Sequence, residues 1–147
     1  DIVADLTGVV ETLTAAGVIP QRVTVARPLG AERTALIERV QQAFAACPSL
    51  RRFSPLPRMA PADKPTTGYD DVRMVALARL ALGERSIEVD WQLYGPKLAQ
   101  VALTFGADHL DAVAGVDDQS LGTRRTTLED VERNIRAAGF EPREYRA

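Results

Sequence analysis

The sequence predicts an α/β fold built on a parallel sheet, and three observations carry that reading. β-Branched, strand-like runs recur about every 25 to 35 residues with a helix-period segment between each pair, the pattern of βα units. The helix-to-strand connections are short ("GERS", "GADH"), whereas the strand-to-helix connections are often long ("PLPRMAPADKPTTGYDD", "AGVDDQSLGTRRTT"). In parallel α/β folds that second side of the sheet is where ligand-binding residues collect. With 147 residues the chain can bury one core. Residues 1–147 read as a single domain, with no linker, low-complexity segment or strong internal repeat.

"DIVADLTGVVETLTAAG" spaces Val3, Leu6, Val10 and Leu13 as one helical face and stops at Gly17. "QRVTVARP" is a strand. "GAERTALIERVQQAFAAC" returns to helical period with Leu36, Val40 and Phe44 on one face. "RRFSPLPR" is a short strand ending in prolines, "PADKPTTGYDD" a loop, and "DVRMVALARLALG" a helix closed by Gly83. "SIEVDWQLYGPKLAQVALTFGADHLDAV" then reads strand, helix, strand: the first strand ends in Asp90, Trp91 and Gln92, and Gly95-Pro96 opens the helix. After the loop "AGVDDQSLGTRRT" comes the last helix, "TLEDVERNIRAAGF". Thr127 caps it, acids fill its first turn and Gly139 ends it. About four strands result. A (β/α)8 barrel needs eight and about 250 residues, so the four could form a small open sheet or the second half of a barrel.

Apolar residues make up 46% and charged ones 26%, with a net charge of −2, so charge makes no case for nucleic acid or an anionic membrane as partner. No apolar run approaches the roughly 20 residues of a spanning helix, and no signal-peptide pattern is present. A single cysteine, Cys47, excludes an internal disulfide or a multi-cysteine metal cluster within the chain. With one histidine besides, no metal site is expected here. The expected compartment is a reducing cytoplasm. The chain opens at Asp1 rather than Met, as a processed chain or a piece of a longer one would.

"PTTGYDDVRMVALARLAL", "IEVDWQLYGPKLAQVALTFGADHLDAV" and "RRTTLEDVERNIRAAGFEPREYR" resemble the C-terminal half of a radical S-adenosylmethionine (SAM) family. That family contains aminofutalosine synthase and cyclic dehypoxanthinyl futalosine synthase, both of the futalosine route to menaquinone, and the F0 synthase subunits are relatives. The resemblance runs from about Phe53 to the C-terminus, with "GPKLAQVALTFGADHLD" its most specific piece, and is nearest to aminofutalosine synthase. It implies the C-terminal half of a (β/α)8 barrel, TIM-type. The family's [4Fe-4S] cluster rests on CxxxCxxC and binds SAM. That motif is absent from this chain, Cys47 matches no part of it, and Ala26-Arg27-Pro28 stand where many relatives have a Tyr-Gly-His type of motif. The segment itself is therefore expected to hold no cofactor.

Candidate substrate-binding residues follow the strands. Arg27 and Arg58 lie on the rim, and the substrate class that the resemblance implies carries carboxylates, which guanidinium forks match. Asp90, Gln92 and Tyr94 sit where a strand spills onto that rim; Asp90 could equally serve backbone or an arginine. Asp111 alternates with Leu110, which turns it inward, where it needs a partner or a ligand. Trp91 reads as core, Lys97 as solvated, and His109, at the start of its strand, as structural. Asp117, Asp118 and "GTRRTT" read as solvated loop; no catalytic residue is assignable.

Two functional readings result. In the first the chain is a segment of a radical SAM transferase. The whole enzyme would add the 5′-deoxyadenosyl radical to 3-[(1-carboxyvinyl)oxy]benzoate, or catalyse the cyclic dehypoxanthinyl futalosine step, and this segment alone would be inactive. In the second it is a non-catalytic partial-barrel protein. Expected partners are a small-molecule substrate, and either the N-terminal half of the barrel or a second copy. The inner sheet face is expected to be largely apolar and uncovered, unless the N-terminal helix folds over it.

Overall fold

The computed structural model describes residues 5–27, 32–59, 66–113 and 127–145. Nine elements alternate: α1 (Leu6–Ala15), β1 (Arg22–Thr24), α2 (Arg33–Ala46), β2 (Arg52–Ser54), α3 (Gly68–Leu82), β3 (Ser86–Asp90), α4 (Trp91–Thr104), β4 (His109–Asp111) and α5 (Leu128–Ala137). The four strands form one sheet in the order β1-β2-β3-β4, and every neighbouring pair is parallel. The order never reverses, so the sheet has no switch point of the doubly wound kind. Successive helices pack on one another, α1 on α2, α2 on α3, α3 on α4 and α4 on α5, which places them in one layer on one face. This is the winding of a (β/α)8 barrel carried through four strands, consistent with the C-terminal half of such a barrel.

The register separates two faces. Val23, Phe53 and Ile87 are aligned across β1, β2 and β3. Phe53, Ile87 and Val89 are fully buried beneath the helices with Val40, Val75, Ala78 and Ala102, and burial of each valine, isoleucine or phenylalanine side chain is worth about 1.5–3 kcal/mol. The alternate residues, Arg22, Arg52, Ser54, Glu88, Asp90, His109 and Asp111, occupy the opposite face. Leu6 and Val10 of α1 join the helix-side cluster, so α1 extends the helix layer and leaves the inner face alone. That face is charged, against the expectation of an apolar one, because the apolar strand residues Val23, Phe53, Ile87, Val89 and Leu110 all belong to the helix side.

Several boundaries shift for local reasons. α3 begins one turn earlier than the loop-like "PTTGYDD" suggests, because Thr67 accepts a hydrogen bond from the Asp70 N–H and Asp70 and Asp71 fill the first turn. β3 ends at Asp90, not Gln92, because the Asp90 carboxylate accepts from the Leu93 N–H and starts helix at Trp91. Gly95, at φ 74° and ψ 170°, then breaks α4, and Pro96 restarts it. Trp91, fully buried, packs on Ala99 and on Val131 of α5, as a core tryptophan should. α5 is capped by Thr127, whose side chain accepts from the Asp130 N–H, and Gly139 follows at φ 88°. Among the described residues no helix is long and apolar enough to cross a membrane.

Candidate functional site

Strand alternation and the parallel register bring three arginines and three acids together on the inner face. Glu88, in the middle of β3, has a fully buried side chain. Its Oε1 accepts from Ser54 Oγ at 2.7 Å and from Arg22 Nη1 at 2.8 Å, with Arg58 Nη2 at 3.5 Å. Its Oε2 has Arg52 Nη1 at 3.8 Å and no hydrogen bond among the described residues. Towards the C-terminal ends of the strands, Arg58 donates from Nη1 to Asp90 at 2.6 Å and from Nη2 to Asp111 at 3.0 Å. Arg22 of β1 reaches across the face to the same Asp111 oxygen at 2.6 Å. First and last strands are thus joined through side chains, as in a barrel interior packed in layers.

The electrostatics follow the contacts. Burial raises the Asp111 carboxyl, but the Ala112 N–H, Arg58 and Arg22 outweigh it and hold the group below the ordinary aspartate range. The Arg22 guanidinium is held above its usual value chiefly by its hydrogen bond to Glu88. Ala112, at φ 57°, turns the chain after β4 in the left-handed region, an uncommon state for a residue with a Cβ. Arg22, Arg52 and Arg58 balance Glu88, Asp90 and Asp111, so the network is neutral. It can exchange an internal ion pair for a ligand that carries both signs; a ligand of one sign would strand a partly buried charge.

Of the residues singled out by sequence, Arg58, Asp90 and Asp111 meet in this network. Arg27 is exposed, and among the described residues no ion pair joins it to the others. Gln92 lies on the first turn of α4. The Tyr94 hydroxyl donates to the Pro57 carbonyl at 2.6 Å, tying α4 to the segment after β2, and burial holds the phenol well above its usual value. Lys97 is exposed. His109 opens β4 at the opposite edge, beside the Tyr145 ring, and its buried Nε2 has no hydrogen-bond partner among the described residues. Asp117, Asp118, Arg124 and Arg125 lie outside the described residues. Sequence reasoning missed Glu88, Arg22 and Arg52. The available signal was alternation: Glu88 lies two residues before Asp90 on β3, and Arg22 and Arg52 flank the apolar Val23 and Phe53.

The donors do not fit an iron–sulfur cluster. Cys47, the only cysteine of the chain, is buried at the end of α2, 3.0 Å from Ser49 Oγ. One thiolate cannot replace the usual set.

Residues 40–146 match the family described as the CofH/MqnC C-terminal region. A 5-amino-6-(D-ribitylamino)uracil–L-tyrosine 4-hydroxyphenyl transferase of Archaeoglobus fulgidus is 30% identical over 122 residues, covering 74% of this chain and 35% of that protein. The transferase of the same name from Methanosphaerula palustris is 36% identical over 77 residues, covering 52% of this chain and 21% of that protein. The chain spans about a third of the length of the first relative and about a fifth of the second.

Proposed function

The chain belongs to the CofH/MqnC C-terminal family, and from that premise we propose that it is the C-terminal barrel segment of a radical SAM transferase of cofactor biosynthesis. When bound, the cluster and SAM would supply the radical; they would be held by the other half of the barrel, since this segment lacks the cysteines. The part of the reaction assigned to this chain is to bind and orient the aromatic co-substrate at Arg58, Arg22, Asp90 and Asp111. Its partner is the N-terminal half of the barrel.

Two substrates suit that role. The resemblance to aminofutalosine synthase suggests 3-[(1-carboxyvinyl)oxy]benzoate, a dianion that arginines alone would hold. The curated relatives are named for L-tyrosine, a zwitterion. The neutrality of the network carries the choice. A zwitterion can replace an Arg58–Asp pair by Arg58–carboxylate and Asp–ammonium pairs with no charge left unpaired. A dianion would displace Asp90 or Asp111 without compensation. The geometry therefore supports L-tyrosine, or a close amino-acid relative, better.

The test is equilibrium binding by the complete barrel, this chain joined with the half that carries CxxxCxxC. L-tyrosine should bind, and tyramine and 3-(4-hydroxyphenyl)propionate, each lacking one charge, should bind at least about tenfold more weakly. Arg58→Gln should erase the difference between L-tyrosine and tyramine. Tighter binding of the benzoate dianion than of L-tyrosine would overturn the zwitterion reading in favour of the aminofutalosine one.

A further inference from the structure

The other end of the sheet holds a second polar space. A cavity of about 300 Å³ opens at the N-terminal edge, lined by Arg51, Arg52, Arg85, Ser86, His109 and Tyr145. That volume is at the lower end of the range for small-ligand pockets. Arg52, Ser86 and His109 are the first residues of β2, β3 and β4, so the cavity lies across the sheet from the Arg58 rim. Its charge is one-sided: three arginines line it, and Glu84 is the one acid in the lining.

The cations there are held in place, and Arg52 is joined to a carboxylate only loosely. Arg52 stacks over the Tyr145 ring, 4.6 Å from its centroid, and its nearest carboxylate, Glu88 Oε2, is 3.8 Å away, beyond hydrogen-bond reach. Stacking fixes a guanidinium plane while leaving its N–H edge for an acceptor. Arg85 is steadied by Nη1 donating to the Leu50 carbonyl at 3.3 Å and by the Phe44 ring at 5.7 Å. His109 meets the Tyr145 ring edge-on at 5.5 Å and is aligned with Glu88 in the strand register. Its Nε2 is buried and lacks any hydrogen-bond partner among the described residues, so the ring sits against the cavity wall and senses its charge.

We infer that this cavity binds a small oxyanion, a phosphate or carboxylate group, held by the guanidinium edges of Arg52 and Arg51 beside His109. Guanidinium forks match such anions in geometry as well as charge. The site lies at the opposite edge from Arg58, shares Arg52 with the inner-face network through Glu88, and does not depend on the co-substrate assignment.

His109 is the only histidine in the sequence, so its imidazole gives a single unambiguous reporter. Inorganic phosphate, sulfate and acetate are titrated into the 147-residue chain near pH 6.5, with chloride replaced to keep ionic strength constant, and the His109 Cε1–H resonance is followed. A saturable shift with at least one oxyanion is expected. Tighter binding of phosphate than of acetate points to a phosphate-bearing ligand, and the reverse order to a carboxylate. Arg52→Gln should abolish saturation, the exposed Arg51→Gln should weaken it about tenfold, and Arg58→Gln, at the other edge, should leave it unchanged. A shift that never saturates, or that survives both Arg51→Gln and Arg52→Gln, overturns the inference. So does a shift lost in Arg58→Gln, which would place the anion at the rim.

Discussion

Replacing Glu88 by alanine isolates the centre of the inner-face network. The substitution removes a hydrogen-bond acceptor and a shared carboxylate at once. Ser54, only 3% exposed, loses the acceptor of its hydroxyl, and a buried donor left unpaired costs about 1–3 kcal/mol. Arg22 and Arg58 lose one of their carboxylates, and Arg52 its looser contact at 3.8 Å. Breaking a fully buried pair costs about 3–5 kcal/mol, but the Arg22 and Arg58 side chains are 41% and 29% exposed and keep Asp111 and Asp90, so that loss shrinks towards the roughly 1 kcal/mol of a solvated pair. Against this, removing a carboxylate whose Oε2 has no hydrogen bond relieves some desolvation. The sum is a net destabilisation of about 2–3 kcal/mol.

Glu88→Gln separates the contributions, because its amide oxygen can still accept from Ser54 while the charge is gone; it should cost about 1 kcal/mol. Urea unfolding followed by far-ultraviolet circular dichroism reads both. With a slope of about 1–3 kcal/mol/M, the midpoint of Glu88→Ala should fall by about 1–2 M. The cost should change little with added salt, since the Glu88 side chain is shielded from solvent. A Glu88→Ala midpoint indistinguishable from wild type, or Glu88→Gln as costly as Glu88→Ala, would refute the claim that the Ser54 bond and burial dominate.

Four more outcomes follow from the same geometry. Because Asp111 titrates below its unfolded value of about 3.9, it stabilises the fold above that pH and the benefit is lost as pH falls through the folded value; Asp111→Asn should flatten the acid limb of a stability–pH curve. Gly95→Ala should destabilise by about 1–3 kcal/mol in thermal or urea melts, since φ 74° with ψ 170° is a glycine conformation. Anaerobic reconstitution of the chain with iron and sulfide should give no stoichiometric cluster absorption, as Cys47 stands alone in the sequence. Light scattering across a concentration series should show self-association, because β1 and β4 each have an unpaired edge among the described residues; a clean monomer would count against the open half-barrel.

The fold was legible because two periods are written plainly in the chain. Val23, Phe53, Ile87 and Val89 mark strands, and capped, Gly-terminated helices lie between them. The site was half legible. Arg58, Asp90 and Asp111 stood out because they follow apolar strand cores towards the side where ligands bind. Glu88 did not, since an acid flanked by Ile87 and Val89 looks like an interruption until Arg22, Arg52 and Arg58 are seen to come from other strands and a loop. Local sequence carries no record of partners 30 to 66 positions away. The end of β3 was misplaced for a related reason: Asp90 caps the Leu93 N–H, a backbone contact that strand propensity does not register.

Charge balance connects the two ends of the argument. A barrel interior can hold ions only if each has a partner at short range, because desolvation exceeds any gain from a distant one. Here Arg22, Arg52 and Arg58 find Glu88, Asp90 and Asp111 within the same four strands and their loops. The four strands therefore neutralise their own rim with side chains of their own and of their loops. At the N-terminal edge cations are in excess: Arg51 and Arg85 outnumber Glu84 in the lining, and Arg52, only loosely paired with Glu88 Oε2 at 3.8 Å, also stacks on the Tyr145 ring. The same strands thus present a neutral rim suited to exchanging pairs with a zwitterion and a cationic edge suited to an anion. Arg58→Gln and Arg52→Gln should accordingly act on different ligands.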